Sequence, residues 1–86
     1  MATILVVDDE ARMRKVISLA LAEDGHEILE AENAAQALEI IRSTALSLVI
    51  TDLRMPGGDG TEVLKGARAT SLHLPVIILT AYGTVE

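Results

Sequence analysis

The sequence predicts an α/β domain with a mostly parallel sheet, and three features carry that expectation. Four short apolar runs alternate with three stretches whose apolar residues recur at helical intervals. Strands separated by helices need crossover connections, which are right-handed and leave the strands parallel. Three of the four runs lack polar alternation, as strands covered on both faces do. Half of the 86 residues are hydrophobic but Tyr82 is the only aromatic, so the core is Val, Ile, Leu and Ala. That composition suits close helix-on-sheet layers in a single domain.

Ile4 to Val7, the first strand, is β-branched and Leu throughout and runs into Asp8, Asp9 and Glu10. Ala11 to Asp24 carries Met13, Val16, Ile17, Ala20 and Leu21 at helical spacing, with Arg12, Arg14, Lys15 and Glu23 elsewhere around the wheel. Met13 is read as core. Asp9 or Glu10 can serve the first turn, and Gly25 is placed to stop the helix. His26 to Ala31 alternates more, with Ile28 and Leu29 among Glu27, Glu30 and Glu32, and reads as a strand at or near a solvated edge.

Asn33 is a good N-cap for the second helix, with Ala34, Ala37, Leu38 and Ile41 as its buried stripe and its end near Ser43 or Thr44. Leu48 to Thr51 is the third strand, and Asp52 falls where it stops. The turn from Met55 to Gly60 holds Pro56, Gly57 and Gly58, and Met55 is read as a loop residue that packs. Thr61 to Ala67 follows as a short helix with Leu64 and Ala67 inward; Gly66 weakens it by roughly 1 kcal/mol relative to Ala. Pro75 opens the fourth strand, Val76 to Leu79, which ends at Thr80 and Ala81. The last residues, Gly83 to Glu86, read as a loop and the cap of a helix that does not follow. Three helices on four strands leave apolar surface uncovered, so the sequence reads as a fragment that self-associates.

Composition excludes several functions. A formal charge of −6 disfavours direct contact between this segment and a nucleic-acid backbone, and is compatible with cation binding. Without cysteine there is no disulfide and no thiolate metal site. No basic region precedes the first apolar run and no segment approaches the length of a membrane span, so a soluble intracellular protein is expected.

The chemistry lies at strand ends. Taken alone, Asp52 reads as a turn or cap residue. If the first, third and fourth strands are neighbours, however, Asp8, Asp9, Asp52 and Thr80 all emerge at one rim, where open α/β sheets bind ligands. Three carboxylates that close together repel one another unless a cation relieves them, and Mg²⁺, which takes oxygen ligands, suits the set. One carboxylate can then attack a phosphoryl group, and Asp52, which stands alone at its strand end, is the best nucleophile. Asp8 and Asp9 form the metal side, and the Thr80 hydroxyl donates to a phosphoryl oxygen. His26 and His73 flank apolar segments with no second ligand nearby and read as loop or strand-end residues.

Asp8-Asp9-Glu10 after an apolar strand, Asp52-Leu53-Arg54-Met55-Pro56 with Gly60 four places after the proline, and Leu79-Thr80-Ala81 after a fourth strand resemble the receiver domain of bacterial two-component response regulators. The wording from Leu79 to Glu86 is most similar to receivers joined to σ54-dependent transcriptional activators. The resemblance covers Ile4 to Glu86 and implies a truncated receiver domain over residues 1–86. Its fold would be the flavodoxin-like (CheY-like) doubly wound sheet, order 2-1-3-4, lacking the fifth strand and last helices.

The resemblance further implies that Asp52 accepts a phosphoryl group from a sensor histidine kinase. Asp9, Asp52 and the backbone carbonyl of Arg54 would ligate Mg²⁺, Asp8 would assist through water, and Thr80 would be the switch hydroxyl. Arg54 and Tyr82 occupy positions that tune phosphate lifetime in the family. The implied role is a cytoplasmic signalling switch that regulates an attached output domain, of the transcription class. It is not an enzyme, although it assists its own phosphotransfer and dephosphorylation. The alternative is a phosphorylation-insensitive interaction module of the same fold. A hydrolase is disfavoured because the usual Asp-x-Asp-x-Thr is replaced by Asp8-Asp9-Glu10-Ala11-Arg12. Receivers also place a Lys and a switch aromatic on a fifth strand, and this sequence stops before both; Lys15 and Lys65 read as solvated helix residues.

Overall fold

The structure, a computed structural model, describes residues 2–55 and 59–79. Its elements alternate as expected: β1 (Thr3–Val7), α1 (Ala11–Ala22), β2 (Glu27–Ala31), α2 (Ala34–Ser43), β3 (Leu48–Asp52), α3 (Gly60–Thr70) and β4 (Val76–Leu79). All strand pairs are parallel, in the order β2-β1-β3-β4. β2 therefore takes one edge, in keeping with its alternating sequence, which reads as a strand at or near an edge. Thr80, Tyr82, Pro56, Gly57 and Gly58 lie outside the described residues.

Period-two alternation divides the apolar residues between the two faces of the sheet. Leu5, Val7, Ala31 and Val49 form one buried cluster with Ala34, Ala37 and Ile41 of α2, Val63 and Ala67 of α3, and Met55 and Leu74 from loops. Ile4, Val6 and Ile50 face the other way and meet Ile17 and Leu21 of α1. Met55 thus packs as the sequence suggested.

Local chemistry sets the helix ends. The Asn33 side chain accepts a hydrogen bond from the Gln36 N–H at 2.8 Å, capping α2. Asp59 caps α3, accepting from the Thr61 N–H and from the Thr61 hydroxyl. Gly25 has φ +87, and its N–H bonds the Ala22 carbonyl beyond the end of α1, a conformation other residues adopt only under strain.

Three expectations need correction. Met13 is 43% exposed and Val16 62%, with Ala20 exposed as well, because α1 lies mainly over β1 and β2 and its apolar stripe is wider than that contact. Glu10 takes the N-cap position of α1 but its side chain makes no capping bond; Asp8 instead accepts from the Glu10 N–H. α3 is longer than the apolar spacing suggested, and Val63 is its fully buried anchor, with Leu64 half-buried. The cost of Gly66 also has a reason: a Cβ there would collide with the Leu38 side chain where α2 and α3 meet.

Candidate functional site

Parallel pairing brings the strand ends to one rim. Val7 pairs with Thr51, so the residues that follow, Asp8 and Asp52, leave adjacent strands at the same level. Asp8 remains tied to the sheet through its N–H, which bonds the Ala31 carbonyl at 3.1 Å, and the Leu53 N–H bonds the Leu79 carbonyl at 2.8 Å. One carboxylate oxygen from each of Asp8, Asp9 and Asp52 can be chosen so that all three lie within 4.8 Å of one another. Asp8 is buried, Asp52 half-buried and Asp9 exposed, so the cluster opens to solvent on the Asp9 side.

This crowding has an electrostatic signature. Burial pushes the Asp8 carboxyl above its ordinary value of 3.8; the Glu10 N–H opposes that shift, and the charges of Asp52, Asp9 and Glu10 add to it. A group of all-oxygen donors containing a charge under such pressure fits a hard divalent cation, which needs neither imidazole nor thiolate. The residues present therefore fit Mg²⁺.

The loop after Asp52 is shaped by a close approach. The Gly60 N–H bonds the Leu53 carbonyl at 2.8 Å, and a Cβ on Gly60 would lie 2.7 Å from the Asp52 carbonyl oxygen. Glycine there lets the start of α3 sit against the strand end that carries Asp52. Arg54 is exposed on this loop, between Leu53 and buried Met55.

The remaining sequence-level candidates divide cleanly. Thr80 lies outside the described residues. His26 Nδ1 accepts from the Ala2 N–H at 3.1 Å, a strand-end contact, and His73 is exposed. Lys15 and Lys65 are exposed on their helices, as expected. One residue was missed. Arg14, read from the sequence as part of a polar helix face, donates from Nη1 to the Asp8 carbonyl at 2.7 Å and from Nε to Glu30 Oε1 at 3.1 Å. The only available signal was its distance of six residues from Asp8, which has meaning only once the turn between β1 and α1 is known.

Known proteins share this architecture. The model of the family described as "response regulator receiver domain" matches residues 4–86. Response regulator protein FleR of Pseudomonas aeruginosa is 41% identical over 85 residues, which are 99% of this chain and 18% of FleR. The crystal structure of response regulator protein TrrA of Thermotoga maritima in complex with Mg²⁺-BeF matches with a TM-score of 0.90 and 44% identity, covering 95% of this chain and 71% of TrrA. The structure of histidine kinase ThkA in complex with TrrA matches with a TM-score of 0.89 and 42% identity, over 100% of this chain and 74% of the matched one. Among the described residues, no helix is long and apolar enough to cross a membrane.

Proposed function

This chain belongs to the receiver domains of two-component response regulators, and on that premise we propose that Asp52 is its phosphoacceptor and that Asp8 and Asp9 complete a Mg²⁺ site beside it. The observation that carries this reading is the approach of three carboxylates from two strand ends to within 4.8 Å. An Asp52 carboxylate oxygen attacks the phosphorus of a phosphohistidine, the P–O bond forming as the P–N bond breaks, and the released imidazole recovers its proton from solvent. A bound Mg²⁺ supplies positive charge for the phosphoryl oxygens. Asp9 and Asp52, with the Arg54 carbonyl, would hold the ion directly, and buried Asp8 would assist through water. Thr80 is the hydroxyl that reads the phosphorylated state.

In this reading the chain is a switch and not an enzyme, although it assists its own phosphorylation and dephosphorylation. Its donor is a sensor histidine kinase, which the ThkA–TrrA complex supports for a relative 42% identical to it. The chain spans 18% of FleR, which supports an attached output domain of the transcription-regulating class. A cytoplasmic location follows from that role. The exposure of Ile77 and Leu79 supports self-association of the chain.

The test is intact-mass spectrometry after incubation with acetyl phosphate and Mg²⁺. The expected result is the addition of one phosphoryl group, abolished in Asp52→Asn and by EDTA. An unmodified wild-type chain would favour the phosphorylation-insensitive module instead.

A further inference from the structure

We propose that Arg14 is a positioning residue for the acidic cluster and that Glu30 holds it to that task. The inference rests on reading Asp8, Asp9 and Asp52 as a Mg²⁺ site.

Arg14 links three elements. It sits on the second turn of α1, its Nη1 bonds the carbonyl at the end of β1, and its Nε bonds a carboxylate on β2. The 2.7 Å contact to the Asp8 carbonyl is short, as expected for a donor that carries full charge. A peptide unit is planar, so holding the Asp8 carbonyl also orients the N–H and Cα of Asp9. The Asp8 side chain is fixed separately by the Glu10 N–H at 2.9 Å. Both acids on the β1 side are thus aimed before a cation arrives.

Glu30 decides what the guanidinium does. A cation bonded to the backbone carbonyl of one of three clustered aspartates is drawn toward their carboxylates and competes with a metal ion for the same oxygens. Glu30 satisfies Nε from the β2 side, and because the guanidinium fork is rigid, fixing Nε aims Nη1 at the carbonyl. Glu30 is substantially exposed, so this ion pair contributes little to overall stability. Its effect is on direction, which separates the proposal from an ordinary surface salt bridge.

Isothermal titration calorimetry of Mg²⁺ on the chain, paired with amide NMR shifts of Asp8 and Asp9 and urea melts, tests this. Arg14→Met should weaken Mg²⁺ binding roughly 10-fold, the lower range for loss of a residue that orients metal ligands. Arg14→Lys should recover part of that loss, since an ammonium reaches the carbonyl without the fork. Glu30→Gln should weaken binding to a smaller extent and move the Asp8 and Asp9 amides while the urea midpoint stays put. If Arg14→Met does not fold, Arg14→Lys and Glu30→Gln carry the test. Wild-type Mg²⁺ affinity in the folded variants overturns the positioning role alone; a wild-type chain that binds no Mg²⁺ overturns the metal-site reading and this inference with it.

Discussion

On one face of the sheet α2 and α3 lie together over Leu5, Val7 and Val49; on the other, α1 alone lies over Ile4, Val6 and Ile50. The first face is closed, with Ala37, Val63 and Ala67 fully buried. The second stays open toward β4, where Ile77 is 46% exposed and Leu79 41%. The strand residues on the two faces are similar in kind, yet their energetic weight differs. Burial against a helix, not hydrophobicity as such, is what stabilises the fold. By strand parity Asp8 and Asp52 fall on the α1 side of the rim, so the candidate site borders the less covered face.

The sharpest way to break this contrast is to truncate one side chain on each face. Leu5→Ala should destabilise by about 3 kcal/mol, since a fully buried Leu leaves a cavity, whereas Ile77→Ala should cost under about 1 kcal/mol. Urea denaturation at low protein concentration measures both, and equal losses would show that β4 is covered after all. A second test concerns what the open face does at high concentration. Sedimentation velocity should show the wild-type chain associating and Ile77→Glu shifted toward monomer, because a charge on that face must stay in water. A wild-type chain that remains monomeric throughout would remove self-association from the account.

The smallest expected effect compares two aspartates. The Asp8 pKa is raised in the folded chain, so the fold binds extra protons above the ordinary value of 3.8, and its stability falls as pH climbs from there through the raised value. Asp59 is the reverse: the Thr61 hydroxyl and then the Thr61 N–H lower its pKa, so its contribution is present above 3.8 and disappears as pH drops through the lowered value. Asp8→Asn should therefore raise the urea midpoint at neutral pH in EDTA, with the gain fading as pH approaches 3.8. A gain that persists unchanged in acid would mean the effect is not electrostatic.

Elements were easy to read where one side of a residue pattern is enough to define them. Asn33 needs only the helix it caps, and the uninterrupted apolar run at Leu48 requires burial wherever the strand sits. α1 is harder, since helical spacing marks which residues share a side of the helix and says nothing of how much sheet waits beneath; Met13, which the spacing assigns to the core, is exposed for that reason. Arg14 is invisible in the sequence because its two partners, the Asp8 carbonyl and Glu30, lie just past β1 and on β2, and a carbonyl has no sequence signature.

The sequence by itself determined the alternation of strands and helices, the capping of α2, and the placement of acids at two strand ends, because each depends on the periodicity and chemistry of nearby residues. Only the tertiary structure decided that Asp8, Asp9 and Asp52 converge, that Gly60 rests against the Asp52 backbone and that Arg14 reaches the Asp8 carbonyl. Those distances are set by the order and register in which parallel strands pair, a choice made among segments far apart along the chain.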